Sequence, residues 1–211
     1  MEITRDDVAW LARDYALLGI WCLTFVRGLD EAEAFRRVGV EEGSIRSLTH
    51  EELMDEWPFP PTPNKILAGH LDGWTVLIEV FGRESLDALQ ALSVGTEAVS
   101  VQRHDDAADC FAYAVDGEQV TVFDPIDPAE RYGSDPDRLV DLMRDVGFDP
   151  AYELSIEDDE EDEENEEGRF DRPIVDGALM LAARLTGVVL TPDVLNGPLL
   201  GADVMVHRSQ G

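Results

Sequence analysis

Basic side chains are scarce in this sequence. It has 211 residues, of which 16 are lysine or arginine and 46 are aspartate or glutamate, so its formal net charge is −30. Lys65 is its only lysine. Because nucleic acids are bound by clusters of basic side chains that neutralise phosphates, this deficit argues against direct nucleic-acid binding. It argues in the same way against binding to an anionic membrane surface.

Long apolar runs and paired cysteines are also missing. No apolar run approaches the roughly 20 residues that cross a bilayer, and no basic segment followed by an apolar one opens the chain. The two cysteines, Cys22 and Cys110, each lie inside an apolar run, which favours buried free thiols over a disulfide. These features predict a cytoplasmic protein.

Sequence signatures of cofactor sites are absent as well. Neither glycine-rich phosphate-binding motif, G-x-x-x-x-G-K-[ST] or G-x-G-x-x-G, occurs. The segment 104–109 combines one histidine with three aspartates, whose nitrogen and oxygen atoms are possible ligands of a divalent metal. A turn between two strands is favoured, because aspartate side chains bond their own backbone in turns. We predict no metal and no cofactor.

What the sequence does contain is a set of strand-like segments. The run from Gly73 to Phe81 is rich in β-branched and aromatic residues and predicts a central strand. Asp116-Gly117 is a strong hairpin signal between two further strands. The predicted strands are 20–28, 74–81, 98–103, 108–115 and 119–123.

Helices are predicted between and around these strands from apolar periodicity and start signals. Thr4 with Asp7 and Asp30 with Glu33 have the spacing of helix-capping pairs, and Ser85 is a further candidate cap. The other predicted helices follow Thr49, Pro136, Pro173 and Pro192. Together these segments predict an α+β fold: an antiparallel or mixed sheet of about five strands with helices packed on it.

Two segments of biased composition interrupt this pattern. Residues 57–63 contain four prolines, which suits either a polyproline ligand for another domain or, as we favour, a stretch that wraps the protein itself. In 157–167, ten of eleven residues are acidic, which predicts a solvated, flexible insertion. We therefore expect an α+β domain over 1–154, an acidic linker over 155–170, and carboxy-terminal helices over 171–211 that pack on the same domain.

Four residues are candidates for a binding site: Trp21, Arg27, Trp74 and Glu79. Glu79 lies in a strand among apolar residues, where a carboxylate needs a partner, and Arg27 at the end of another strand is the predicted one. A desolvated glutamate of this kind also suits a general base. The two tryptophans suit either the core or a ligand-stacking surface. We favour the structural interpretations and predict no catalytic residue.

The order of several motifs resembles an uncharacterised, largely actinobacterial family known only as domain of unknown function number 6461. The motifs that carry the resemblance are 21–29, 73–79, 123–125 and 185–191, and the likeness extends over most of the chain outside the acidic run. The resemblance implies a bacterial cytosolic protein. It implies no activity and no catalytic residues, because none is established for the family.

The acidity is not confined to the run at 157–167, since about −20 of the net charge lies elsewhere. A surface of one sign attracts partners of the opposite sign. We therefore expect a non-enzymatic module that binds a basic protein, as an immunity protein binds a toxin or as a DNA mimic binds a DNA-binding protein. The alternatives are an enzyme or small-molecule binder with a pocket around Arg27, Trp74 and Glu79, and acidity that serves solubility alone.

Overall fold

The fold is built on one antiparallel sheet of nine strands. The computed structural model describes residues 3–13, 17, 19–55, 64–104, 109–152 and 174–204. The strands, in chain order, are β1 Trp21–Arg27, β2 Arg46–Leu48, β3 Asn64–Leu71, β4 Trp74–Val80, β5 Glu97–Arg103, β6 Cys110–Val115, β7 Glu118–Asp124, β8 Asp127–Tyr132 and β9 Leu199–Val204.

Eight α-helices and one short 3-10 helix (Glu42–Ser44) connect or flank these strands in the described ranges. The α-helices are α1 Arg5–Arg13, α2 Glu31–Val38, α3 His50–Asp55, α4 Glu84–Asp87, α5 Leu89–Leu92, α6 Val140–Asp145, α7 Ile174–Thr186 and α8 Pro192–Leu195.

The strands lie in the spatial order β2-β9-β3-β4-β1-β5-β6-β7-β8, so β1 is central. In the pairing of β1 with β4, Trp21 lies opposite Val80 and Arg27 lies opposite Trp74. Strand β9 comes from the end of the chain but lies inside the sheet, between β2 and β3. The sheet therefore combines strands from before and after the acidic run.

The two faces of the sheet bury different kinds of side chain. In β1, Trp21, Leu23 and Phe25 pack into one hydrophobic cluster, and the alternate residues Cys22 and Val26 pack into a second one. Because successive strand residues point to opposite faces, the same alternation continues in β4, β5 and β6. We name the two sides the aromatic face, with Trp21, Trp74, Phe111 and Phe123, and the small-residue face, with Cys22, Ala98, Ala112 and Ala114.

Helices cover both faces. Buried residues of α1, α6 and α7 belong to the cluster on the aromatic face, and those of α2, α4 and α5 belong to the cluster on the small-residue face. On the aromatic face, the Trp10 indole of α1 also donates a hydrogen bond to the Leu190 carbonyl at 3.1 Å. The architecture is thus α+β, with the sheet between two helical layers.

Several start and stop signals in the sequence act as predicted. Asp30 accepts a hydrogen bond from the Glu33 amide at 2.8 Å, and α2 ends at Gly39 with a left-handed φ of 88°. Thr49 and Glu52 cap α3 reciprocally. Asp116 and Gly117 form the β6–β7 hairpin with φ of 49° and 84°, as a type I′ turn requires.

The prediction of about five strands is wrong, because the sheet has nine. The four unpredicted strands have weak strand signals in the sequence: β2 has three residues, β3 and β9 contain glycine and alanine, and β8 begins with Asp-Pro.

Two predicted helix starts are also wrong. Ser85 is not a cap, since it lies inside α4 and Arg83 occupies the cap position. Helix α6 begins at Val140, later than the prediction from Pro136. The proline-rich segment 57–63, residues 105–108 and the acidic run at 157–167 lie outside the described residues.

Candidate functional site

Glu79 is completely buried on the small-residue face, at the end of β4. Its carboxylate accepts three hydrogen bonds from the start of α4. The Ser85 amide at 2.9 Å and the Ser85 hydroxyl donate to Oε1, and the Glu84 amide donates to Oε2 at 2.9 Å. A buried carboxylate is costly unless it is hydrogen-bonded, so these donors make its position possible.

The second carboxyl group at this position belongs to Glu84, whose Oε2 lies near Gly82 together with Oε2 of Glu79. Glu84 also accepts hydrogen bonds from the Asn64 side chain and, at 3.0 Å, from the Arg83 amide. Burial is the main cause that raises the pKa of Glu79 well above its ordinary value. Burial also acts to raise the pKa of Glu84, but hydrogen bonds from Glu79, Asn64 and the backbone outweigh it and lower that pKa.

A chain of buried hydroxyl groups extends from this carboxyl pair across the sheet. Thr24 Oγ1 lies 2.8 Å from Ser85 Oγ and 2.8 Å from Ser100 Oγ, and Cys22 Sγ lies 3.3 Å from Ser100 Oγ. Each hydroxyl has a single proton to donate, and Ser85 donates its own to Glu79. The direction of the chain follows: Cys22 donates to Ser100, Ser100 to Thr24, and Thr24 to Ser85.

Cys22 is poorly suited to be a nucleophile in this environment. Burial, and secondarily the charge of Glu79, raises the pKa of its thiol to about 12. Burial likewise raises the pKa of Cys110 to about 11. The thiolate is the reactive form of cysteine, so both groups are held in their unreactive form at neutral pH. The network can hold protons and fix side-chain positions. Its hydrogen-bonding groups are occupied by one another.

The structure does not bring the four predicted site residues together. Arg27 and Trp74 are neighbours, with the guanidinium carbon 5.9 Å from the ring centroid. Glu79 lies five residues further along β4, or about 17 Å, and points to the opposite face. Trp21 is buried at the far end of the aromatic face. The predicted pocket around Arg27, Trp74 and Glu79 therefore does not form.

The predicted ion pair between Arg27 and Glu79 is also wrong. Arg27 Nη1 lies 2.7 Å from Glu97 Oε1, and the hydroxyl of Tyr113 donates to Glu97 Oε2 at 2.7 Å. Sequence reasoning identified the buried carboxylate but missed its real partners, Glu84 and Ser85. One signal pointed toward the site: Cys22 and Thr24 alternate with large apolar residues in β1, so they share a face of the sheet.

A second feature is an exposed acidic surface at the β7–β8 edge of the sheet. Residues 116–149, which we name the acidic edge, contain ten acidic residues and three arginines. Eight of the acidic side chains are exposed: Asp116, Glu118, Glu130, Asp135, Asp137, Asp141, Asp145 and Asp149. The edge therefore carries a formal net charge of −7.

Each arginine of the acidic edge is paired with an aspartate. Arg131 bonds Asp137 at 2.8 Å, Arg144 bonds Asp141 at 2.9 Å, and Arg138 lies 3.8 Å from Asp135. Glu118, Glu130 and Asp145 have no ion-pair partner among the described residues. An open depression of about 460 Å³ between β8 and α6 is lined by these arginines together with Asp137, Asp141 and Asp149. The negative charge that remains after pairing faces solvent.

The described residues hold no group of three or more His, Cys, Asp or Glu side chains placed to bind a metal. Of the segment 104–109, only the two ends are described, and there Asp109 accepts a hydrogen bond from the His104 amide at 2.8 Å. No described helix is both long enough and apolar enough to span a membrane.

Comparison with known proteins places the chain in a family. The sequence model for the family of unknown function DUF6461 matches residues 1–198. The chain belongs to this family. No curated protein and no solved structure shows significant similarity to it. The matched range includes all eight described α-helices and every described strand except β9.

Proposed function

We propose that this protein is a non-enzymatic interaction module of the bacterial cytosol and that it binds a basic protein through the acidic edge. The observation that carries the proposal is the exposure of eight carboxylates along residues 116–149, where all three arginines are already paired with aspartates. Such a surface attracts cations over roughly a Debye length, ~8 Å at physiological salt, and repels nucleic acid.

The partner has one of two forms. A basic toxin would be neutralised by this protein as by an immunity protein, and a DNA-binding protein would be titrated by it as by a DNA mimic. The alternative function, an enzyme or small-molecule binder, depended on a pocket around Arg27, Trp74 and Glu79. Its support is weaker because these residues lie on two faces of the sheet, at opposite ends of β4.

The test compares two variants that remove the same amount of charge from different places. The edge variant carries Glu118→Gln, Glu130→Gln and Asp145→Asn. The control carries Glu41→Gln, Glu42→Gln and Glu51→Gln, which are also exposed but lie near β2, at the other end of the sheet. Partners are captured from a lysate of the source organism at low salt, and their association rates are then measured with purified proteins.

We expect the edge variant to associate about tenfold more slowly at low ionic strength and the control to keep most of the wild-type rate. An equal loss in both variants would mean that net charge alone acts, without a specific surface. Capture that disappears at physiological salt would assign the acidity to solubility. Activity assays distinguish the two forms of partner. A DNA mimic releases DNA from its partner, whereas an immunity protein abolishes a toxic activity.

A further inference from the structure

The carboxyl groups of Glu79 and Glu84 meet at the turn between β4 and α4, where both lie close to the backbone of Gly82. A methyl group added to Gly82 would lie 2.5 Å from Glu84 Oε2 and 3.0 Å from Glu79 Oε2, so both oxygens face the same glycine. Phe81, just before it, has a φ of 59°, which is unusual for a bulky residue. The backbone of this turn is thus shaped around the two carboxyl groups.

Among the described residues, no basic side chain donates a hydrogen bond to either carboxyl group. The donors to Glu79 and Glu84 are three backbone amides, the Ser85 hydroxyl and the Asn64 amide, all of them neutral. Two adjacent carboxylates without a cation repel each other strongly in a buried site, whereas a carboxylic acid donates a hydrogen bond to its ionised neighbour. The arrangement therefore accommodates one negative charge and one proton.

We propose that Glu79 and Glu84 share a single proton at neutral pH and that this proton operates a clasp that holds α4 against the sheet. With the proton present, the two carboxyl groups bond to each other and join β4 to α4. Without it, two negative charges face each other and Glu84, the less buried of the two, moves outward with the turn. This proposal is independent of the partner-binding function.

The surroundings of the pair determine which way it responds to pH. Strand β1 presents the Cys22 thiol. The cap residue Arg83 pairs with Asp87 of α4 at 2.9 Å. On this face β3 and β5 present Asn64, Ser100 and Gln102, all of which are neutral. The pKa of Glu79 is raised in the folded protein. The folded protein therefore holds a proton that the unfolded chain releases, and the clasp weakens as pH rises above the ordinary glutamate range.

Release of α4 would uncover the hydroxyl chain beneath it. Ser85 is part of both structures, because it bonds to Glu79 and lies 2.8 Å from Thr24. When the turn leaves the sheet, Thr24 loses this neighbour and Cys22 loses its cover from α4. Cys22 is therefore a reporter for the open state, since its side chain is fully buried when the clasp is closed.

The first test asks whether the proton is present. Infrared spectroscopy detects the C=O stretch of a protonated carboxyl group, and at neutral pH exposed carboxyl groups are ionised and do not contribute. We expect the wild-type protein to show this band at neutral pH and to lose it at alkaline pH. Its absence from the folded wild-type protein at neutral pH would overturn the proposal without the use of any variant.

Variants assign the band to the pair. Glu79→Gln removes the buried acid, so we expect it to abolish the band. Glu84→Gln removes the neighbouring charge but leaves Glu79 buried, so we expect the band to remain at neutral pH and to disappear at a lower pH than in the wild-type protein. Glu130→Gln, at an exposed and unpaired position, is the matched control and should keep it. Because either of the first two variants suffices, failure of one to fold leaves the assignment testable. A band that persists in folded Glu79→Gln would place the proton elsewhere, and a band that disappears at the wild-type pH in folded Glu84→Gln would show that the proton is not shared; either result contradicts the proposal.

The second test asks whether the proton controls α4. A thiol reagent is applied over a series of pH values, and labelling of Cys22 is measured by mass spectrometry relative to Cys110. In the wild-type protein we expect labelling of Cys22 to begin at the pH at which the infrared band disappears. Labelling of Cys22 that stays constant while the infrared band disappears would refute the clasp. Labelling that begins at the wild-type pH in Glu79→Gln and Glu84→Gln would show that opening does not depend on the carboxyl pair.

Discussion

The two faces of the sheet achieve burial by different means. On the aromatic face, Phe111 and Phe123 lie with ring centroids 5.1 Å apart, and Phe123 meets Phe148 edge-on at 5.7 Å. On the small-residue face, alanines pack beneath α5, while Glu79, Thr24 and Ser100 are buried and joined by hydrogen bonds. Large apolar side chains stabilise the fold mainly through the apolar area that they bury. The contribution of buried polar groups depends on how completely they are hydrogen-bonded.

This difference predicts opposite sensitivities. The aromatic face should respond to loss of volume, and the small-residue face should respond to loss of a single hydrogen-bonding atom. The following predictions test the contrast, beginning with the largest expected effect.

Truncation on the aromatic face should be the most damaging change. We expect Phe123→Ala to lower the free energy of unfolding by about 3–5 kcal/mol, because it leaves a cavity between Phe111 and Phe148. Denaturant titration measures the loss, and Phe123→Leu, which keeps more of the volume, is the control. If both variants lost equally little, the aromatic contacts would not be the main source of stability on this face.

An isosteric exchange should be harmful on either face, for opposite reasons. Thr24→Val leaves the Ser100 hydroxyl without its acceptor, and Val76→Thr buries a new hydroxyl among apolar residues of the aromatic face. We expect each substitution to cost about 1–3 kcal/mol in the free energy of unfolding. A neutral or stabilising Thr24→Val would show that the hydroxyl chain contributes nothing to stability.

Arg27 should be coupled to Glu97 and uncoupled from Glu79. In a double-mutant cycle, we expect Arg27→Met and Glu97→Gln to show a coupling energy below about 1 kcal/mol, because the Arg27 side chain is 65% exposed. Arg27→Met and Glu79→Gln should be additive within about 0.5 kcal/mol, since the residues lie on opposite faces. Clear coupling in the second cycle would contradict the observed register.

Deletion of the acidic run should have the smallest effect. Residues 157–167 contain no apolar side chain, so we expect their removal to leave the thermal midpoint nearly unchanged or slightly raised as like-charge repulsion is relieved. Calorimetry measures the midpoint, and replacement of the run by a Gly/Ser linker of equal length separates charge from chain length. A loss of cooperative unfolding on deletion would show that the run is structural.

The sequence alone was sufficient for the elements that have strong local signals. The β-branched run before Phe81, the Asp116-Gly117 turn and the Asp30 cap each depend on neighbours in the chain, so they could be predicted without tertiary information. The alternation of Trp21, Cys22, Leu23 and Thr24 also encodes the two faces of the sheet. The acidic balance is likewise a property of composition, and it is the basis of the proposed partner chemistry.

The tertiary structure decided the remaining features, because they depend on pairing between distant segments. Strand β9, with glycine and alanine in its middle, is a strand because β2 and β3 flank it. Register excludes Arg27 as the partner of Glu79: β4 places Glu79 opposite Cys22, while Arg27 lies opposite Trp74 on the other face. Spacing in the sequence cannot determine register between separate strands. It also cannot determine the turn at Phe81 and Gly82 that brings Glu79 and Glu84 together, so this pair became apparent only in the folded chain.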